Sequence, residues 1–222
     1  MSTSRARPRT RLTREQSREQ TRQRLMDAAQ TLFMKKGFDA SSVEDVAAAA
    51  GYTRGAFYSN FKDKAELLLA LLKRDQGDIQ QALQRIFDLQ GSAQDIEARI
   101  LTYYSTLYCE NKCFLVWMQA RLLATRDAKF RARLNALSKQ TRADIAYFID
   151  AFCARLGIRP IVPAAQLALG LMALCDGIQC FHASDPHVTN EMAENVLAAF
   201  FGAAVFGHRA GSLAERVAAR VR

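Results

Sequence analysis

Apolar residues recur along this chain at three- and four-residue intervals, in blocks separated by Gly, Pro and short polar breaks. Such intervals gather them on one side of successive α-helices. The first block predicts a helix over 14–36, with Leu25, Ala28, Ala29, Leu32 and Phe33 on one face and Arg and Gln on the other. Gly37 ends it, and Phe38 plugs a small core. Val43, Val46 and Ala47 stripe a short helix that Ser41 or Ser42 can cap. Gly51 falls where the backbone must turn with φ above zero. Thr53 can cap a second short helix, with Phe57 and Phe61 one turn apart on its inner face. A long fourth helix is expected from Lys62-Asp63-Lys64 to about Asp88, carrying Leu67, Leu68, Leu71, Leu72, Ile79, Leu83 and Ile86. Beyond the Gly91-Ser92 break, helices are predicted over 94–110, 112–126 and about 128–156, the last stopped by Gly157. Two more, over 164–183 and 188–207, are split by Ser184-Asp185-Pro186, and a short amphipathic one is expected over 211–221. The fold class is all-α.

The pair of short helices within 43–61 points to chemistry. The outer face of the second holds only Gly55, Ala56 and Ser59, with Tyr58 and Asn60 at its flanks. Small side chains let a helix approach a surface closely, and hydroxyl and amide groups can hydrogen-bond to it. That is the build of a helix-turn-helix whose second helix enters a major groove of double-stranded DNA. The charge agrees: the formal net charge is +9. Residues 1–24 hold eight Arg and two Glu, and so contribute +6 of it. A basic arm beside such a motif suits phosphate neutralisation or minor-groove insertion. A disordered, solvated tail is the alternative for the whole of 1–24, and for residues 1–13 above all.

Composition excludes several classes. No apolar run reaches the roughly 18 residues of a membrane span. The Arg-rich start lacks the apolar region of a secretory signal, so a cytoplasmic location with no membrane partner is expected. Five cysteines, at 109, 113, 153, 175 and 180, are an odd count that argues against a disulfide framework. Cys109 and Cys113 would share a helical face, but no nearby His completes a metal set. The cysteines therefore read as core, with a thiol sensor as the other reading. There is no Gly-rich phosphate loop and no nucleophile motif, and His182 and His187 near Asp185 read as a surface turn. No catalytic residue, metal or cofactor is expected, and the chain does not read as an enzyme.

The helices over 164–183 and 188–207 are apolar over an unusually wide arc, from Leu167, Leu169, Leu171, Met172, Leu174 and Ile178 to Val196, Leu197, Phe200, Phe201, Val205 and Phe206. A helix of that kind is buried on more than one side. One side can pack on its own domain and the other on a partner, which predicts a homodimer through about 164–207. Small residues such as Gly170, Ala173, Gly177 and Ala203 would let such helices cross closely. The alternative is that both helices are central in the protomer.

Residues 21–72 resemble the TetR/AcrR family of transcriptional regulators. The matching features are Leu25-Met26-Asp27-Ala28-Ala29, Leu32-Phe33, Lys36-Gly37-Phe38, Ser42-Val43-Glu44-Asp45-Val46-Ala47, Ala50-Gly51-Tyr52, and Gly55 through Leu68. The resemblance implies an N-terminal three-helix DNA-binding domain over 14–64, after a basic arm at 1–13. It implies an effector-binding and dimerisation domain over 65–222. It further implies a ligand-responsive, sequence-specific regulator, for most members a repressor released from a palindromic operator by a small molecule. A non-specific architectural DNA binder and an activator on the same fold are the alternatives. Carried over by position, Ser42 and Glu44 start the supporting helix near DNA, and Thr53, Arg54, Gly55 and Ala56 lead the recognition helix. Tyr58 and Asn60 match positions that meet phosphates or bases, and Lys64 one that meets a phosphate. Arg54 is the charged residue of the recognition element, suited to bidentate guanine reading or to a phosphate.

On the effector side the candidates are Tyr103, Trp117, Met118, Arg121, Phe148, Phe152, Cys175, Asp176 and His182. Trp117, Met118 and Arg121 set an apolar platform beside one charge. Asp176 lies inside a strongly apolar helix, where it needs a partner, such as an Arg, or a function. An apolar or aromatic compound, an anionic one included, suits this mixture.

Overall fold

Short polar residues at the starts of helices set the architecture of the computed structural model, which describes residues 13–206 apart from 90, 93, 94, 97, 101, 104–112, 158 and 161. The arm before Thr13, most of the helix expected over 94–110, Cys109 and the helix expected over 211–221 lie outside the described residues. Thr13 opens α1 (Arg14–Lys36) with a reciprocal cap: its hydroxyl accepts from the Gln16 N–H, and its own N–H donates to the Gln16 side chain. Ser42 does the same for α2 (Val43–Ala49) through Asp45. Its hydrogen bonds hold the Asp45 carboxyl below the usual carboxylate range. Ser41, the other candidate cap, is buried and donates its hydroxyl to the Gly37 carbonyl at 2.8 Å. Gly51 turns the chain at φ 75°, a conformation that suits glycine. Thr53 then caps α3 (Arg54–Tyr58), its hydroxyl accepting from the Ala56 N–H.

α3 is a short helix. Its last carbonyls are met by side chains: Ser59 donates to Gly55 and Asn60 to Ala56, at 3.0 and 2.8 Å. Such local bonds compete with further helix. Phe61 lies beyond the helix yet stays buried beside Phe57, the ring centroids 5.8 Å apart. α4 (Lys64–Asp88) follows. Leu25, Phe33, Val46, Phe57, Phe61, Leu67, Leu68 and Leu71 are wholly or almost wholly buried. Each such side chain stabilises the fold by about 1.5–3 kcal/mol. The chain divides into compact units at Leu71/Leu72, further along than the boundary expected at 64. The reason is that Leu67, Leu68 and Leu71 belong to the N-terminal core.

The second unit contains α5 (Phe114–Arg126), α6 (Ala128–Leu156), α7 (Ala164–Ser184) and α8 (Asn190–Phe206). Asp127 caps α6 by accepting from the Lys129 and Phe130 N–H groups, and Gly157 ends it at φ 65°. α6 packs on α5 and α7, and α7 on α8. The core joins Leu83, Ile96, Phe148, Phe152, Leu167, Leu171, Ile178 and Leu197. Gly170 belongs to the α7–α8 crossing, since a Cβ there would lie 3.2 Å from the Phe200 ring.

Two sequence expectations change here. α7 is long and apolar enough, at a mean hydropathy of 1.4, to cross a membrane by length and composition, although no such segment was expected. It buries Leu167, Ala168, Leu171 and Ile178 in the core. Nor are α7 and α8 central in the protomer: Leu169, Phe181, Met192 and Val196 are 53%, 65%, 53% and 46% exposed. Among the described side chains, the wide apolar arc is therefore only partly used within one chain.

Candidate nucleic-acid interface and ligand cavity

The outward side of the helix-turn-helix carries the residues that sequence placed there. Thr53, Arg54, Gly55, Tyr58 and Ser59 are exposed, while Phe57 anchors the opposite side in the core. Ser42 and Glu44 are exposed at the start of α2, and Ala56 is half-buried. The Arg54 guanidinium lies 3.1 Å from the Glu44 carboxylate and 5.4 Å from the Tyr58 ring centroid. A hydrogen bond with Tyr58 and the charge of Glu44 push its pKa up. The pair is solvent-exposed and adds little stability. What it does is brace the long Arg side chain at the leading end of α3.

Two expected DNA contacts point inward instead. Asn60 donates to the Ala56 carbonyl at 2.8 Å, and its Oδ1 is buried. Lys64 donates to the Phe38 carbonyl at 2.7 Å and to the Ser41 carbonyl, with its ammonium 4.5 Å from the Phe38 ring centroid. Burial pushes its pKa down. Lys64 therefore ties the start of α4 to the α1–α2 turn. Sequence reasoning also missed Arg18 and Arg22 as parts of this frame. They donate to the Ser59 and Asn60 carbonyls at 3.3 and 2.9 Å, and Arg22 stacks 4.1 Å from the Phe61 ring centroid. Positive charge suits the carbonyl end of a helix. The partners are 41 and 38 residues away, beyond any local signal.

In the second unit, a cavity of about 110 Å³ opens among α4 to α7. It gathers Trp117, Arg121, Cys175 and Asp176 from the expected set. It does not gather Tyr103, Met118, Phe148, Phe152 or His182. Phe148 and Phe152 are core, with Tyr103 packed against it. His182 Nδ1 lies 2.7 Å from the Val188 carbonyl. Sequence reasoning missed Asp75, Gln76 and Ile79 from α4, Phe114, Thr141 and Ile145, and Leu171, Met172 and Gln179 from α7. Asp176 has the Arg partner its position required, in an ion pair with Arg121. Asp75 Oδ2 accepts from the Trp117 indole N–H at 2.7 Å. Burial raises the Asp75 pKa, while hydrogen bonds from Trp117 and Cys113 oppose the rise. The Cys113 thiol is pushed up to about 12 by burial and by Asp75, so it is held protonated. Of the cysteines described, Cys113 and Cys153 are buried, as a core reading requires. Cys175 is half-buried and Cys180 is exposed. Among the described residues, no group of three or more His, Cys, Asp and Glu could hold a metal.

A capped helix pair with a small, polar outer face, in a chain that also has a helical unit with an internal cavity, defines a helix-turn-helix regulator fold. The profile described as bacterial regulatory proteins, tetR family, matches residues 25–71, and that described as BetI-type transcriptional repressor, C-terminal, matches 110–205. The chain belongs to the TetR/AcrR family of transcriptional regulators. It is 39% identical over 64 residues to the regulator AcrR of Shigella flexneri, covering 29% of this chain and 30% of that relative. The match thus spans about 30% of the relative's length. A putative TetR-family regulator from Rhodococcus sp. superposes with a TM-score of 0.71 at 23% identity, covering 84% of this chain and 99% of that one. FadR of Bacillus subtilis, solved in complex with stearoyl-CoA, has a TM-score of 0.68 at 16% identity, over 83% and 98% of the two chains.

Proposed function

We propose that this protein is a dimeric, sequence-specific transcriptional repressor that leaves a palindromic operator when a small molecule fills the cavity of its second unit. It acts in the cytoplasm and is not an enzyme. The observation that carries the reading is α3: a short helix with an exposed face of Gly55 and Ser59, half-buried Ala56 beside them, and Arg54, Glu44 and Tyr58 at its edge. Such a face fits a major groove, with Arg54 able to reach a guanine edge. The partly used apolar arc of α7 and α8 supports a second copy as partner, because large apolar side chains left in water favour association. A dimer would set two recognition helices about 34–36 Å apart or at a multiple of that spacing, matching an inverted repeat. Support for ligand control comes from α4, which begins in the N-terminal core with Leu67 and Leu68 and later supplies Asp75, Gln76 and Ile79 to the cavity. The FadR neighbour carries a small-molecule complex on the same fold. A ligand releases DNA only by favouring the state that cannot bind it.

Selection of binding sites from random duplex DNA by the purified protein, at near-physiological salt, tests this reading. An enriched inverted repeat is expected. A bound pool without enrichment would favour the arm-driven architectural alternative, whose affinity would fall steeply with salt. The sign of regulation follows from placing the selected repeat before a reporter promoter, where repression is expected and activation would reverse it.

A further inference from the structure

Among the described residues, the charges around the cavity do not balance. Arg121 and Asp176 form an ion pair and neutralise each other. Asp75 remains, and its hydrogen-bond donors Trp117 and Cys113 are both neutral. Two charged neighbours on the same helix, Asp78 and Arg74, act on it in opposite senses. Among the described residues, the cavity is thus lined by two carboxylates and one guanidinium. Its other walls are apolar or aromatic, with Trp117 and Phe114 beside Ile145 and Leu171. Sequence reasoning gave weight to Arg121 and so admitted an anion, but in the structure that positive charge is already engaged. A buried carboxylate with neutral partners is stabilised by a cation that replaces lost solvation. Trp117 lines the same cavity, and the face of an indole attracts a cation.

We propose that the cavity takes a small organic cation with an apolar or aromatic body, using Asp75 as counter-charge and Trp117 as aromatic wall. This deepens the proposed function and rests on it for the consequence of binding, but not for binding itself. The Trp117 N–H···Asp75 bond fixes both groups, so the carboxylate and the ring are presented together rather than assembled by the ligand.

Trp117 is the chain's one tryptophan, so intrinsic fluorescence reports the cavity directly. The test titrates the full-length protein with benzyltrimethylammonium, with neutral benzyl alcohol and with benzoate. Saturable quenching by the cation is expected, with affinity at least about tenfold above the other two, the size of one charge-assisted contact. In Asp75→Asn, checked for native helicity by circular dichroism, the cation should lose about tenfold or more while benzyl alcohol is unaffected. Equal binding of the three probes by the wild-type protein would overturn the proposal, and that comparison needs no variant. Unchanged cation affinity in folded Asp75→Asn would overturn it too. A parallel titration on the selected operator separates the two readings. Asp75-dependent cation binding that leaves the operator complex intact would uphold the site and refute ligand release. Release by benzoate or benzyl alcohol, without cation binding, would do the opposite.

Discussion

The two units of this chain are built by different kinds of information. In the N-terminal unit the helix starts are set locally, by Thr13 with Gln16, Ser42 with Asp45, and Thr53 with Ala56, each three residues apart, and Arg18, Arg22 and Lys64 then tie the helices together. In the second unit the cavity brings Asp75, Trp117, Thr141 and Asp176 together from four helices. A local rule can specify a turn or a cap, whereas a cavity is what long-range packing leaves open. The ends of the short helices are therefore set largely by their own segment, and the cavity depends on how the whole unit packs.

The largest effect expected from a single change follows from the core of the first unit. Phe57→Ala removes a wholly buried ring and should destabilise by about 3–5 kcal/mol, read by chemical denaturation. A loss below about 1 kcal/mol would mean that the helix-turn-helix is not anchored through that ring. Lys64→Ala comes next. It removes the ammonium that donates to the Phe38 and Ser41 carbonyls and should cost about 1–2 kcal/mol of stability. A surface phosphate ligand would instead leave the melting temperature unchanged and weaken DNA binding alone. Ser42→Ala removes the α2 cap and should cost about 1 kcal/mol, with Ser42→Asp restoring much of it.

The smallest effect sharpens the contrast by its sign. The Asp45 pKa is lowered from 3.8, so its contribution is present above pH 3.8 and lost as pH falls through the lower folded value. The Asp75 pKa is raised from the same value, so stability falls as pH rises through that window and Asp75 is a liability once ionised. Melting curves at pH 7 should therefore show Asp45→Asn lowered and Asp75→Asn raised. Shifts of the same sign would undo the comparison.

Sequence carried the N-terminal unit almost residue by residue because caps, a positive-φ glycine and an aromatic pair act over three to five positions. It missed the inward turn of Lys64 because the Phe38 and Ser41 carbonyls that receive it lie 26 and 23 residues earlier. Asp176 was legible as a charge inside an apolar helix in need of a partner, and Arg121 supplies it. Asp75 was not, since an acidic residue on a long helix looks like solvent-facing polarity until Trp117 is placed against it. Phe148 and Phe152 show the converse error. Their helical spacing announces burial, but only packing decides between a cavity wall and a core.

The claim at the centre of this account is that α3 reads base sequence through Arg54. The direct measurement is the affinity of wild-type protein and Arg54→Ala for the selected operator and for every single-base variant of one half-site. The account predicts that Arg54→Ala loses discrimination at one base position per half-site, by about 1–3 kcal/mol, and keeps it elsewhere. A loss of the same size at all positions would contradict it and make Arg54 a phosphate contact.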